Sequence, residues 1–320
     1  RMIARILKWL MLLQVLAVLG VAYLAMQAWG VASPVLAVLL AGTMLLAVRA
    51  LIVARNFWES RRLGSPVPLE YRLGAMGAAR LFFGELCATL WTSSWSMLRP
   101  RLHAADMIPS GQGLPVLLVH GYVCNRGYWT KLSRQLAQAG IVHKAIDLEP
   151  IDANIDGYVT QVEQALQALC TLTGKPQAII VAHSMGGLVA RAWLRHYGAA
   201  RVARIITIGT PHHGTALANL AAGANARQMS RIDGAPSGWL AQLAASEAAE
   251  TRALITSIYS HHDNIVAPQT SAHLPGARNI AFGGIGHVAL ASDARVLRQL
   301  LAEITIKCEV AQPPSSPHFS

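Results

Sequence analysis

The sequence predicts an α/β fold, in which a mostly parallel sheet carries helices on both faces. From residue 114 onward, strand-like and helix-like patterns alternate, as they do in parallel sheets. Within that region, residues 177–197 read as a buried strand, a tight turn and a helix. Two apolar runs, residues 10–28 and residues 35–53, come before the α/β part, and only Arg49 interrupts the second run.

The composition and the two apolar runs predict a transmembrane helical hairpin over residues 1–55. Hydrophobic residues make up 53% of the 320 residues and charged residues 13%, which is too apolar for a simple soluble enzyme. Residues 10–28 are long enough to cross a bilayer, so we expect membrane contact through residues 10–53. The alternative is a signal peptide, but the apolar core is too long and no small-residue cleavage site stands out.

The charges at the hairpin predict its orientation. Basic residues precede the first run and close or follow the second, whereas the link at residues 29–34 has none. The positive-inside rule then places everything downstream on the cytoplasmic side of a bacterial inner membrane. If the run containing Arg49 lay only on the membrane surface, the downstream domain would be outside instead.

Charge and cysteine content restrict the partners and the compartment. The net charge is +11, and residues 1–113 carry eleven basic and four acidic side chains. Because this charge lies beside the apolar runs, it favours anionic lipid headgroups and not nucleic acid as the partner. The four cysteines show no paired spacing, which fits a reducing compartment: Cys87, Cys124, Cys170 and Cys308.

Residues 56–112 form a juxtamembrane helical region in this interpretation. The Ser-Pro-Val-Pro sequence at 65–68 breaks any helix, and residues 71–98 predict one long helix or two. An apolar stripe contains Phe82, Phe83, Leu86, Leu90, Trp91 and Trp95, with Arg72, Arg80 and Glu85 elsewhere on the surface. The helix either packs against the α/β body or lies at the membrane interface with its tryptophans at headgroup level. A polar linker at 110–113 opens the next domain.

Residues 113–305 form the α/β domain. Strands are predicted at 115–119, 141–148, 177–182, 204–209, 253–260 and 278–282, and helices at 127–138, 155–172 and 185–197. Residues 216–250 are Ala-rich and predict a helical cap without strands. The Pro/Ser-containing tail at 306–320 is expected to be disordered.

A candidate nucleophile lies at the end of the third predicted strand. Residues 182–187 read Ala-His-Ser-Met-Gly-Gly, which places Ser184 at the apex of a sharp turn. A serine hydroxyl is a useful nucleophile only when it is exposed, aligned with a base and flanked by oxyanion donors. The strand–turn–helix geometry supplies the exposure, and small residues let the strand and helix approach closely.

The turn after the first predicted strand offers the oxyanion donors. Residues 120–122 read His-Gly-Tyr, and Gly121 permits a turn that aims a backbone N–H at the nucleophile. We therefore expect the amides of Tyr122 and Met185 to form the oxyanion hole. The alternative is an ordinary turn.

The candidate acid is Asp263, because it follows the strand at 253–260, where an acid that orients the base would project. Asp233 and Asp293 compete for this role. Asp293 lies in what reads as the first turn of a helix, where the helix dipole stabilises a carboxylate. Asp233 lies in the predicted cap.

The candidate base is His287, which follows a glycine-containing loop after the last strand and completes the order Ser, Asp, His. His273 is the alternative. His183 is expected to pack beneath the nucleophile turn, and His212 and His213 to form a structural turn and not a metal pair.

Four segments in order resemble the lipase branch of the α/β-hydrolase superfamily, in particular bacterial triacylglycerol lipases and inositol-deacylase-like hydrolases. They are Val-His-Gly-Tyr at 119–122, residues 182–187, Gly-Thr-Pro-His-His-Gly-Thr at 209–215 and Gly-His at 286–287, within residues 114–303. The resemblance implies Ser184 as nucleophile, Asp263 as acid, His287 as base, Tyr122 and Met185 as oxyanion amides, and a cap.

The sequence departs from this pattern in two places. Ala182 replaces the first glycine of G-x-S-x-G, and the two-run N-terminus differs from that of secreted lipases. Some secreted lipases bind a structural calcium ion, but no carboxylates can be assigned to one here. We therefore expect neither a cofactor nor a metal.

The expected reaction is a two-step acyl transfer on acyl esters, such as glycerolipids or phospholipids delivered from the bilayer. The cap sequence around Trp239, Leu240 and Leu243 would suit an acyl chain. The same residues also permit an acyltransferase, a peptidase or a thioesterase. A non-catalytic membrane scaffold is the alternative outside enzymes.

Overall fold

The computed structural model describes residues 2–100 and 113–306. Its helices are α1 (Met2–Ala28), α2 (Pro34–Arg62), α3 (Ala75–Trp91), α4 (Thr130–Gln138), α5 (Val159–Thr173), α6 (Met185–Tyr197), α7 (Ala224–Gln228), α8 (Gly238–Ala245), α9 (Ala249–Ala253) and α10 (Ala294–Thr305). Its strands are β1 (Val116–Val119), β2 (His143–Ile146), β3 (Ala178–His183), β4 (Val202–Ile208), β5 (Arg231–Ile232), β6 (Ala235–Pro236), β7 (Ile255–Ser260) and β8 (Arg278–Phe282). The linker at 110–112 and the predicted disordered tail beyond Ile306 lie outside the described residues.

Six of the strands form one parallel sheet in the order β2-β1-β3-β4-β7-β8, which confirms the predicted fold class. The central strands β1 and β3 are buried at every position, as expected for strands covered on both faces. Two hydrophobic clusters, one on each face, form the core. Because all strands are parallel, the residues that follow them meet at one edge of the sheet.

The first two helices, α1 and α2, pack against each other through small residues: Ala22, Ala25, Ala37 and Ala41. Both are long and apolar enough to cross a membrane, with mean hydropathies of 2.1 and 2.4, a property that core helices and signal sequences share. Only 11% of each apolar window is buried. Within α2, the Arg49 guanidinium donates hydrogen bonds to the hydroxyls of Ser94 (2.8 Å) and Ser93 (2.9 Å).

The predicted juxtamembrane region, residues 56–112, contains one main helix in its described part. Helix α2 continues to Arg62, past the predicted end of the hairpin at residue 55, and α3 is followed by one π-helical turn, Thr92–Ser96. Phe83 and Trp91 are exposed on α3, but Glu85 is only 1% exposed, so its expected surface position is wrong. The reason is its spacing: three residues after Phe82 it lies on the helix face that packs against the α/β body.

The cap differs from the expectation in two ways. Residues 216–250 contain a two-stranded antiparallel hairpin, β5–β6, so the expectation of a cap without strands is wrong. Asp233 has a φ of 51° and Gly234 a φ of 77° at the hairpin turn, a backbone shape that Asp-Gly pairs adopt readily. Leu240 and Leu243 are fully buried packing residues and Trp239 contacts the same core, so these side chains do not form an open acyl surface.

Candidate active site

The turn between β3 and α6 holds Ser184 in a strained conformation. Its φ of 54° and ψ of −126° are unusual for a residue with a side chain, and such strain is concentrated at functional sites. Gly186 is required there, since a Cβ at this position would lie 2.6 Å from the carbonyl oxygens of Val119 and His120. Ser184 is 8% exposed, and within the described part of the chain its hydroxyl has no hydrogen-bond partner.

The loop after β7 holds Asp263 with both carboxylate oxygens engaged. Oδ1 accepts hydrogen bonds from the amides of Ile265 and Val266, each at 2.8 Å. Oδ2 faces Nδ1 of His287 at 2.8 Å, and Asp263 is only 2% exposed. The carboxylate is therefore fixed by its own loop and aimed at one imidazole nitrogen.

The loop after β8 brings His287 to this carboxylate. Burial alone would lower the pKa of His287, but the charge and hydrogen bond of Asp263, together with the charge of Glu85, raise it above its ordinary value. The backbone amide of His287 donates to Asn264 Oδ1 at 2.9 Å. Because Nδ1–H donates to Asp263, the second nitrogen, Nε2, is left to accept a proton.

The Asp263–His287 pair lies at the end of the strand next to Ser184. The Ser184 amide donates to the carbonyl of Ile208 at 2.9 Å, which ties the nucleophile turn to the end of β4. At the next residue, Gly209, a Cβ would lie 3.3 Å from both Asp263 Oδ2 and His287 Nδ1. The structure therefore brings the three predicted residues to one end of β3 and β4.

His183 packs beneath the turn, between Ser184 and the base loop. Its ring stacks on Tyr128 with centroids 4.3 Å apart and lies 4.6 Å from the ring of His287. Burial, and then the neighbouring His287, lower the pKa of His183 well below its ordinary value. A neutral ring at this position adds no positive charge beside His287.

The turn after β1 approaches Ser184 closely. A Cβ on Gly121 would lie 2.8 Å from the Ser184 Cβ. The His120 ring braces the turn, because its Nδ1–H donates to the Gly121 carbonyl (2.9 Å) and its Nε2 accepts from the Leu148 amide (3.0 Å). In the described part of the chain, the amides of Tyr122 and Met185 have no acceptor, so both are free to donate to a ligand.

The competing candidates have other places in the structure. Asp293 caps α10, where its carboxylate accepts from the Arg295 amide at 2.8 Å, and Asp233 lies in the β5–β6 turn. His273 is exposed beyond a 3-10 turn, whereas His212 is buried against Thr207 and Arg191. Among residues 2–100 and 113–306, no three His, Cys, Asp or Glu side chains group as a metal site.

Glu85 is a buried acidic residue near His287 that the sequence interpretation missed. Its carboxylate accepts hydrogen bonds from the amides of Val288 and Ala289, each at 2.9 Å, directly after His287. The signal in the sequence was an acidic residue on an apolar helix face, since Glu85 follows Leu81 and Phe82 at helical spacing.

Comparisons with known proteins place this geometry in a known fold. Residues 115–235 match the family model described as alpha/beta hydrolase fold. The pimeloyl-[acyl-carrier protein] methyl ester esterase of Vibrio cholerae serotype O1 is 32% identical over 102 residues, which cover 32% of this chain. The matched segment spans 38% of the length of that curated relative.

Solved structures agree on the fold. The mature form of the Bacillus licheniformis lipase BlEst2 superposes with a TM-score of 0.52 at 22% identity, covering 63% of this chain and 97% of the lipase. Its propeptide form gives a TM-score of 0.54 at 20% identity, covering 66% of this chain and 55% of that one. The chain therefore has the α/β-hydrolase fold, preceded by two long apolar helices in contact with each other.

Proposed function

We propose that the protein is a membrane-anchored serine ester hydrolase of the lipase/esterase type, with Ser184 as nucleophile, His287 as base and Asp263 as acid. The observation that carries the proposal is the buried Asp263–His287 pair, joined at 2.8 Å, at the strand end next to a serine with a φ of 54°. The cleavage of esters by serine hydrolases needs these parts in this arrangement.

The residues have separate roles in the proposed two-step reaction. Ser184 Oγ attacks the ester carbonyl while His287 Nε2 takes the hydroxyl proton, and Asp263 stabilises the resulting imidazolium. The amides of Tyr122 and Met185 donate to the oxyanion, which carries the charge that develops on the carbonyl oxygen. The imidazolium then protonates the leaving alcohol. In the second step His287 takes a proton from water, which attacks the acyl-enzyme and releases the acid.

The proposed substrates are acyl esters, and lipids or phospholipids in particular. The support is that the C-terminal part of the apolar helix α2 lines a cavity together with Asp263, and that the sequence resembles bacterial triacylglycerol lipases and inositol-deacylase-like hydrolases. Two of the matched proteins are named as a methyl ester esterase and a lipase, which supports an ester bond as the bond that is cleaved.

The proposed location is the cytoplasmic side of a bacterial inner membrane. Both ends of the helical hairpin adjoin the α/β domain: the Met2 amide donates to Glu149 Oε1 at 2.6 Å, and the Ser65 amide, just after α2, donates to Gln269 Oε1 at 3.0 Å. The basic residues also lie at these ends, on the side that the positive-inside rule assigns to the cytoplasm.

The first test compares wild type with Ser184→Ala on esters of graded acyl-chain length and on phospholipid vesicles. We expect the substitution to lower kcat by about 10⁴-fold or more, because the nucleophile is lost, and to abolish labelling by a fluorophosphonate. Ser246→Ala, which changes an exposed cap serine, is the matched control and should retain both properties.

The outcomes separate the proposal from its alternatives. Release of long-chain fatty acid by wild type alone supports the lipid hydrolase. Transfer to an added alcohol in preference to water would indicate an acyltransferase. If wild type and Ser184→Ala behave alike in both assays, the protein is not a serine hydrolase, and the scaffold alternative would replace the proposal.

A further inference from the structure

The loop that carries the proposed base is held by a residue outside the α/β domain. Glu85, on α3, uses both carboxylate oxygens: Oε1 accepts from the Val288 amide and Oε2 from the Ala289 amide, each at 2.9 Å. Glu85 is 1% exposed, so neither hydrogen bond competes with bulk water. The two residues following His287 are therefore fixed by one side chain from the juxtamembrane helix.

The base loop is shaped to admit this side chain. A Cβ on Gly286 would lie between 2.5 and 2.8 Å from the Glu85 carboxylate group and its Cγ, so any other residue would collide with it. Cavities of about 920 and 430 Å³ lie along α3, and Glu85 lines the smaller one. The Glu85 side chain is therefore in close contact with the backbone of the base loop at Gly286.

The same segment also reaches the loop of the proposed acid. Gln269 Nε2 donates to the Asp263 carbonyl at 2.9 Å, while its Oε1 accepts from the Ser65 amide at 3.0 Å. The Tyr71 ring lies 4.6 Å from the His261 ring, between centroids. Residues 60–85 therefore contact the loops of both the acid and the base.

The charges around His287 give Glu85 an electrostatic effect as well. The ionisable groups near the imidazole are Asp263 from the β7 loop, Glu85 from α3 and His183 from β3. Burial is the largest effect and raises the pKa of Glu85 above its ordinary value, although the two amide hydrogen bonds and the nearby His287 act to lower it. In its ionised form Glu85 favours the protonated imidazole, the state that forms when His287 takes the serine proton.

We propose that Glu85 is a positioning residue for His287, so that the juxtamembrane helix α3 completes the active site and is more than a tether. It holds the base loop through the Val288 and Ala289 amides and supports the imidazolium by its charge. The proposal goes beyond the triad but rests on the proposed function in one respect, the role of His287 as base.

Two substitutions of Glu85, made in the whole chain, separate its effect on the position of His287 from the effect of its charge. Glu85→Gln removes the charge and replaces one acceptor by a donor, so we expect kcat/KM to fall by roughly 100-fold, since small displacements of catalytic groups have effects of this size. We expect the acidic limb of the kcat/KM profile to move to lower pH, because the pKa of His287 loses a raising influence. Glu85→Asp keeps the charge but is shorter, so kcat/KM should fall while the limb moves less.

Glu70→Gln is the matched control, because it removes an exposed carboxylate of the same segment. It should leave kcat/KM and the acidic limb unchanged. The thermal unfolding of each variant is measured alongside activity, so that a loss of fold is recognised. Wild-type kinetics and pH profile in a folded Glu85→Gln protein would overturn the proposal, and so would equal shifts in Glu85→Gln and Glu70→Gln.

A second readout keeps this test independent of ester hydrolysis. The His287 imidazole is titrated by NMR in the Ser184→Ala background, with and without Glu85→Gln. A lower His287 pKa in the double variant supports the electrostatic part of the proposal even if wild type cleaves no ester, in which case only the proposed function fails. An unchanged pKa overturns the electrostatic part of the proposal directly.

Discussion

At the scale of single residues, the two carboxylate oxygens of Asp263 make different contacts, one with its own loop and one with His287. Oδ1 is held by the Ile265 and Val266 amides, so the carboxylate cannot rotate away from the imidazole. Oδ2 accepts from His287 Nδ1, which fixes the tautomer that leaves Nε2 free. An acid on a flexible loop would supply the charge but not this orientation.

Replacing Asp263 by Asn therefore tests two effects together, the orientation of the His287 imidazole and the negative charge beside it. The Asn Oδ1 can still accept from the two loop amides, but its NH₂ then faces Nδ1 and favours the wrong tautomer of His287. We expect kcat to fall by about 10⁴-fold, with the fold retained. Because the negative charge of Asp263 raises the pKa of His287, the acidic limb of the residual activity should move to lower pH.

The control for this prediction is Asp293→Asn, measured in the same pH series. Asn is as good a helix N-cap as Asp, so α10 should keep its start and the activity should stay close to wild type. A larger loss in Asp293→Asn than in Asp263→Asn would transfer the role of acid to Asp293.

The sequence was sufficient to bring together candidate residues that lie near the ends of strands, while their roles stay predictions. Ser184 directly follows β3, Asp263 and His287 lie in the loops after β7 and β8, and parallel strands bring their ends to one edge. Glu85 could not be assigned this way, because its partners are backbone amides about two hundred residues away in the chain. Helical periodicity shows which face a residue lies on, but not what packs against that face.

At the scale of secondary-structure elements, the close crossing of β3, α6 and β1 explains the glycines of the nucleophile turn. A Cβ on Gly186 would lie 2.6 Å from two backbone carbonyl oxygens, which cannot rotate aside. A Cβ on Gly187 would collide with the Thr210 side chain, whose hydroxyl donates to the Ser184 carbonyl at 2.9 Å. The geometry of Ser184 thus depends on the separation of these elements.

We expect Gly186→Ala to destabilise the protein by about 1–3 kcal/mol, because one added methyl group forces α6 away from β1. The displaced turn should also lower ester hydrolysis and fluorophosphonate labelling. Gly238→Ala is the control, since a Cβ there meets nothing within 4 Å and alanine favours the helix α8. Thermal unfolding and labelling of the two variants are compared, and equal stability would show that the crossing tolerates a larger separation.

The elements that the sequence did not predict are short or cross a proposed boundary. The β5–β6 hairpin has two residues in each strand, too few for a period-2 pattern, although the Asp-Gly pair at its turn was a usable signal. Helix α2 extends to Arg62 because residues 56–62 contain no helix breaker, so the change in hydropathy near residue 55 does not end the helix.

At the scale of the whole molecule, the apolar helices and the α/β domain are joined at several points. Arg49 lies within the second apolar run, yet its guanidinium is satisfied by the Ser93 and Ser94 hydroxyls at the end of α3. An arginine with such partners is compatible with a helix whose other side faces lipid. Through α3 and Glu85, the two apolar helices are linked to the loop of His287, so the proposed attachment and the proposed catalysis share one segment.

This arrangement leads to a prediction of topology. Both ends of the hairpin adjoin the α/β domain, and the uncharged link at residues 29–34 forms the opposite end. We expect the full chain to stay with bacterial membranes through an alkaline carbonate wash and to need detergent for extraction. A fluorescent protein fused after Ser320 should be bright, because it folds in the cytoplasm, whereas alkaline phosphatase at the same position should be inactive.

The matched control exchanges charge across the hairpin. In this variant, Ala32→Lys and Ser33→Lys add positive charge to the link, and Gln replaces Arg5 and Lys8. These changes oppose the orientation that the positive-inside rule favours for the unmodified chain. The phosphatase fusion of this variant should gain activity as the fluorescent fusion dims. Active phosphatase on the unmodified chain would place the catalytic domain outside the cytoplasm and require that only one of the two helices crosses the membrane.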